Sequence, residues 1–243
     1  MKHARRLATR AFRTETGEFL AEGPQAVREA LALDDVVLEV FATAEAAERY
    51  AELVDDRWEV VDESVVAEVA DAVSPQGVVA RCRSVVQPLE ALTDVEHVVV
   101  CADVRDPGNA GAVIRCADAA GADAVILTGD SVDPLNPKAV RSTAGSLFHL
   151  PVVVHRDITE TLAFLRERGL QVLAADGSGD DLFEVDLTPP TAWLMGNEAW
   201  GLPETVRSLA DRVVSVPIYG RAESLNLATA AAVCLYAGAR ARR

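Results

Sequence analysis

What constrains this 243-residue chain most is a rhythm in its second half, where short apolar runs rich in Val, Ile and Leu alternate with helix-length stretches. The run His97–Ala102 is apolar after its histidine, leaves no face for water and reads as a strand buried on both sides. After it the pattern predicts a helix over 109–120, a strand over 124–127, a loop carrying Pro134 and Pro137, and a helix over 138–144. A strand at 152–154, a helix at 158–168 and strands at 171–174 and 191–195 follow. The chain then reads as a helix at 203–210, a strand at 212–216 and a closing helix from about Leu225. Strands separated by helices join through crossovers, so the expected architecture is α/β, a parallel sheet covered on both faces. Half the residues are hydrophobic but only 5% are aromatic, which suits a core of small and β-branched side chains.

The first part is built differently. A basic amphipathic segment at 4–11 precedes short strands at 19–21, 36–41, 58–61 and 78–83. Helical stretches at 24–31, 45–53 and 63–70 lie between them. This reads as a small α/β domain, 1–86, with strands too short to host much chemistry. The polar stretch 87–96, with Pro88, is the expected linker, and 97–243 the larger domain.

The net charge of −15 argues, taken alone, against a nucleic-acid partner, because phosphate binding draws on Lys and Arg. Distribution matters more than the sum: Lys2, Arg5, Arg6, Arg10 and Arg13 fall in the first thirteen residues with no acid among them. Cys82, Cys101, Cys116 and Cys234 form no C-x-x-C pair and read as buried small hydrophobes in a reducing compartment. No histidine has metal-ligand spacing, so no metal is expected. No apolar run is long enough to span a bilayer and no secretory signal opens the chain, so a cytoplasmic protein with no membrane partner is expected.

Three loops follow strand ends in the larger domain, the edge where open parallel sheets bind ligands. The first, 103–115, turns sharply at Pro107-Gly-Asn109 into a helix, with Asn109 a plausible N-cap, and places Arg115 close to the sheet. The second, 196–201, sets Asn197 and Glu198 between two glycines directly after a buried strand. The third, 217–226, ends with Ser224 and Asn226 as cap residues for a helix apolar on every side, which implies burial on every side. A dinucleotide-binding reading fails on spacing. Residues 107–111 do not give G-x-G-x-x-G, and Asp176-Gly-Ser-Gly179 lacks the third glycine.

Taken together, the loops resemble the three motifs of the SpoU/TrmH branch of the SPOUT RNA methyltransferases. Asn109-Ala-Gly-Ala-Val-Ile-Arg115 is similar to the first, Met195-Gly-Asn-Glu-Ala-Trp-Gly201 to the second, and Val216-Pro-Ile-Tyr-Gly with Ser224-Leu-Asn226 to the third. The stretch 13–23 resembles, more loosely, the opening of the family's ribosomal-protein-like substrate-binding domain. The pattern is departed from in two places: Val216 stands where isoleucine is frequent, and Ile218-Tyr219 where a methionine and a small residue are common.

The resemblance implies S-adenosylmethionine as cofactor, methylation of a ribose 2′-hydroxyl in RNA, a deep trefoil knot in the C-terminal part and a homodimer formed through that part. It implies a cofactor cradle of Met195, Gly196, Asn197, Val216, Ile218, Ser224, Leu225 and Asn226. Arg115, Asn109, Glu198 and Asn226 are the expected catalytic group. Arginine is too weak an acid to serve as a base at neutral pH, so Arg115 is expected to polarise the 2′-oxygen while Asn109 and Glu198 orient it. Arg5, Arg6, Arg13, Lys138 and Arg141 are the expected RNA contacts. The two-domain layout favours large-subunit ribosomal RNA over transfer RNA. The competing readings are a tRNA 2′-O-methyltransferase and a non-catalytic RNA-binding or ribosome-assembly protein of the same fold.

Overall fold

A computed structural model describes residues 2–243 and divides the chain into two compact units. One comprises the chain up to Val85 together with Asp133–His149; the other comprises Val86–Val132 and Leu150–Arg243.

The first unit holds a four-stranded mixed sheet of β1 (Glu18–Glu22), β2 (Val37–Ala42), β3 (Trp58–Val60) and β4 (Val78–Arg83), in the order β1-β4-β2-β3. The helix Pro24–Leu31 starts where Pro24 presets the first turn. Ala4, Leu7, Phe12, Leu20, Phe41, Val66, Val69 and Val79 form one buried cluster. The expected amphipathic stretch 4–11 is two helices, Lys2–Arg6 and Arg10–Thr16. The segment 133–149 is knitted into this unit. Phe148 stacks on Phe19 at 6.1 Å. Glu22, 7% exposed, accepts from the Asp71 and Ala72 amides at 2.9 and 3.2 Å and from Arg141 at 3.1 Å.

The second unit is a seven-stranded sheet in which every pairing is parallel, ordered β11-β9-β10-β6-β7-β8-β5. Its strands are β5 (Val86–Gln87), β6 (His97–Ala102), β7 (Ala124–Thr128), β8 (Val152–Val154), β9 (Gln171–Asp181), β10 (Thr191–Met195) and β11 (Arg212–Ser215). Every residue of β6, β7 and β10 is buried, as their apolar runs require, with His97, Thr128 and Thr191 the buried polar residues at their ends. The chain leaves β6 toward β7 on one side and leaves β10 toward β11 on the other. The carboxyl ends of β6 and β10 therefore diverge and open a crevice. The last helix, Leu227–Ala241, packs on the helix Pro107–Ala120, and the Tyr236 hydroxyl donates to the Ala119 carbonyl at 3.2 Å. Gly238 faces buried His97 and Trp193: a Cβ there would lie 3.2 Å from His97 Nε2 and 3.4 Å from Trp193 Nε1.

Several expectations need correction. The stretch 87–96 is no linker: β5 pairs with β8, and Leu89, Leu92 and Val95 lie in the core of the second unit. Lys138 and Arg141 belong to the first unit, on the helix Pro137–Thr143, whose N-cap is Asn136. Strand β9 does not stop at 174. Its pairing with β11 jumps from Ala174 to Asp180 across an irregularity, so 175–179 forms an excursion before the strand resumes. The helix expected over 203–210 is only Glu204–Arg207.

Candidate active site

A cavity of about 500 Å³ lies beside this crevice, at the carboxyl ends of β9, β10 and β11. Its walls come from four places: the excursion of β9 (Ala175, Asp176, Gly177), the turn after β10, the end of β11 with Val216 and Ile218, and the approach to the last helix from Glu223 to Leu227.

The turn after β10 is a rigid tongue. Asn197 and Gly201 form an isolated antiparallel bridge, their backbones exchanging hydrogen bonds of 3.0 and 2.9 Å. Gly201 takes φ +67°, the left-handed conformation that closes such a short turn. Gly196 has no room for a side chain, since a Cβ would sit 2.4 Å from the Gly201 carbonyl carbon. The Asn197 side chain, 6% exposed, donates to the Asp103 carbonyl at 2.6 Å and accepts from the Ala199 amide at 2.8 Å, tying the tongue to the β6 loop.

A second tie runs through side chains. Asn226 is the N-cap of the last helix and accepts from the Ala228 and Thr229 amides, so its NH2 is left to face outward. That NH2 donates to Asn109 Oδ1 at 3.0 Å, and the Asn109 NH2 donates to Glu198 Oε1 at 3.2 Å. Glu198 also lies 3.5 and 3.3 Å from the backbone amides of Arg105 and Asp106, which offer it N–H donors at the entrance to a helix. One chain of hydrogen bonds thus joins all three loops, and its direction is fixed by the cap at one end and the carboxylate at the other. Asn109 is not the N-cap of its own helix. Asp106 fills that position and accepts from the Asn109 amide at 2.8 Å, which frees the Asn109 side chain for the relay.

Met195, Gly196, Asn197, Val216, Ile218, Ser224, Leu225 and Asn226 all line the cavity, together with Glu198. Arg115 does not. It is exposed, on the third turn of its helix, and stands outside the hydrogen-bonded chain rather than against the sheet. Of the residues expected to touch RNA, Arg5 and Arg6 are exposed, Arg5 paired with Glu68 and Arg6 over the Phe12 ring at 3.8 Å. Lys138 is exposed, while Arg141 is held by Glu22 and Asp71. Arg13 is a correction: it is 3% exposed and bonds Asp133 and the carbonyls of Leu7 and Ala8 at 2.8, 2.8 and 3.0 Å. It caps the first helical turns and presents nothing to a ligand.

The family described as SpoU rRNA Methylase matches residues 96–236, and the family described as MRM3-like substrate binding domain matches residues 1–80. This chain belongs to the SpoU rRNA methylase family. Among its relatives is the 23S rRNA (guanosine(2553)-2′-O)-methyltransferase RlmP of Bacillus subtilis, 35% identical over 97% of this chain and 94% of that protein. Two solved methyltransferase structures with S-adenosylmethionine bound superpose on nearly its whole length. AviRb from Streptomyces viridochromogenes has a TM-score of 0.88 and 31% identity, covering 98% of this chain and 96% of that one. An rRNA methyltransferase from Sinorhizobium meliloti has a TM-score of 0.86 and 34% identity, covering 98% and 93%.

In this SpoU family member the sequence reading missed the wall formed by Ala175, Asp176 and Gly177. The signal was present in Asp176-Gly-Ser-Gly179. A Cβ on Gly179 would lie 2.5 Å from the Val213 carbonyl carbon, so the glycine permits the excursion to rejoin the sheet. Hydrogen bonds from Ser178 hold the Asp176 carboxyl below its usual range, with Arg207 adding to the effect, so a carboxylate stands in the cavity wall. Among the described residues no group of His, Cys, Asp and Glu could hold a metal ion, and no helix is long and apolar enough to cross a membrane.

Proposed function

We propose that this chain methylates a ribose 2′-hydroxyl in RNA with S-adenosylmethionine as donor, and that its substrate is large-subunit ribosomal RNA. The observation that carries the reading is the convergence of two motif loops on one cavity, with the third motif loop tied to both through Asn109, in a SpoU family chain. The cavity volume of about 500 Å³ lies within the ~300–1,000 Å³ usual for small-molecule sites. Its glycine-lined tongue brings backbone close to a ligand, and Asp176, Glu198 and Glu223 give it a negative wall suited to a cation. Residues and cofactor therefore fit. When bound, S-adenosylmethionine supplies an activated methyl group on a cationic sulfur.

The chain's own residues would do the rest. Gly196, Val216 and Leu225 hold the cofactor, with Met195, Asn197, Ile218 and Ser224 beside them. Arg115 offers a permanent positive charge to the 2′-oxygen and the neighbouring phosphate, favouring loss of the hydroxyl proton. The Glu198–Asn109–Asn226 relay fixes the loops so that ribose and cofactor meet in one orientation, the kind of positioning that can supply roughly 7–11 kcal/mol. The first unit carries RNA through Arg5, Arg6 and Lys138. The same reading includes the trefoil knot, a cytoplasmic location and a homodimer formed through the second unit, with half-exposed Tyr236 on the last helix as part of its contact.

Transfer of radiolabelled methyl from S-adenosylmethionine into an unmodified 23S rRNA transcript tests the reaction, and an unmodified tRNA pool tests the substrate. Incorporation into 2′-O-methyl nucleotides of the 23S transcript is expected. No incorporation into any RNA would overturn the proposal.

A further inference from the structure

Trp200 sits in the turn that closes the tongue, and neither folding nor the cavity accounts for it. Its side chain is 53% exposed, and it is absent from the cavity wall although Glu198, Ala199 and Gly201 on either side are part of it. The turn that carries it is held at both ends by the Asn197–Gly201 bridge and at its side by Asn197. The backbone that carries the indole is therefore fixed beside the cavity. The guanidinium of exposed Arg105 lies over its ring, 5.2 Å from the centroid. The amide of Arg105 lies 3.5 Å from the Glu198 carboxylate, so the pair is fixed to the same relay as the expected catalytic group.

An exposed indole on a rigid mount, with a cation at hand, has the chemistry of a stacking platform for a nucleobase. Aromatic faces bind unstacked bases of single-stranded RNA regardless of sequence, and an arginine beside them meets the phosphate. A ribose hydroxyl can enter the crevice only if its nucleotide is drawn out of regular stacking, which leaves a base without its neighbours. We infer that Trp200, backed by Arg105, stacks an unpaired base of the substrate RNA at or next to the methylated nucleotide. This rests on the RNA-methyltransferase reading and adds a substrate contact to it.

The test uses full-length protein and the 23S rRNA transcript. Trp200→Ala is expected to raise KM for the transcript about 5- to 150-fold, the range for loss of one stacked base, with kcat changed far less. Its affinity for S-adenosylmethionine by calorimetry should stay within about twofold, and Trp200→Phe should recover most of the loss. The chain has three tryptophans, of which Trp193 is buried and Trp58 partly so, so quenching of indole fluorescence by the transcript should vanish in Trp200→Phe. An unchanged KM in Trp200→Ala with normal methyl transfer overturns the platform and leaves the reaction standing. A loss seen on ribosomal particles but not on the naked transcript assigns the indole to a protein partner and also overturns it. Absence of methyl transfer by the wild-type chain falls on the reaction instead.

Discussion

Gly196→Ala isolates the tongue from everything else in the crevice. The added Cβ would lie 2.4 Å from Gly201 C, 2.6 Å from Gly201 O and 2.6 Å from Leu202 N, where ordinary contact begins at 3.4 Å. All three atoms are backbone, so no side chain can rotate away and the two arms of the tongue must part by about 1 Å. Overpacking of this kind costs about 1–3 kcal/mol. The two bridge hydrogen bonds between Asn197 and Gly201 add about 1 kcal/mol each if they break. Since these terms overlap, a destabilisation of about 2–4 kcal/mol is expected, or roughly 5–15 °C in Tm for a chain of this size. The clash is internal, so the loss must appear in the cofactor-free protein. Differential scanning calorimetry without ligand, followed by titration with S-adenosylmethionine, separates the two effects. Lower Tm together with weakened cofactor binding is expected. Weakened binding at unchanged Tm would mean that the clash is with the ligand, and would refute the reasoning.

Arg115→Ala is expected to lower methyl transfer by at least about 100-fold, the scale for loss of an electrostatic stabiliser, while cofactor affinity by calorimetry holds. Normal turnover would remove Arg115 from the reaction. Arg13→Ala should destabilise the first unit by about 3 kcal/mol, because Asp133 loses its buried partner, without a specific loss of RNA affinity in filter binding. A stable variant with weakened binding would restore Arg13 as a contact. His97 gives a pH dependence. Burial, helped by Arg242, pulls its pKa from 6.5 to about 4, so the unfolded chain binds the proton more readily between those values. Stability is therefore full above pH 6.5 and falls by up to about 3 kcal/mol as pH drops toward 4. Urea unfolding of wild type and His97→Leu across that range should show a shallower slope in the variant, and equal slopes would refute the assignment.

Strands β6, β8 and β10 were legible to the residue because their apolar runs have abrupt ends. The cavity wall was legible wherever a glycine or cap residue announced a loop after such a strand. Legibility failed where a local pattern had two meanings. Asp176-Gly-Ser-Gly179 reads as a turn that ends a strand, and only the opposing backbone of Val213 makes it an interruption instead. The stretch 87–96 is polar enough for a linker, yet Leu89, Leu92 and Val95 are spaced to bury one side of it. Arg13 was read by its charge within a basic cluster, and its burial depends on Asp133, distant in sequence. Trp200 passed as part of a motif because exposure of a single aromatic residue has no sequence signature.

The first unit is completed by residues drawn from the middle of the second unit's sequence, and this limits how such proteins can be recombined. A cut at residue 86 would not release a finished module. The N-terminal fragment would leave Phe19 without Phe148 and Glu22 without Arg141, while the C-terminal fragment would carry Asp133–His149 with its partners gone. Exchange of substrate-recognition halves between relatives therefore has to transplant two discontinuous stretches together. A single crossover near residue 86 would yield chimaeras that fail first in the smaller half.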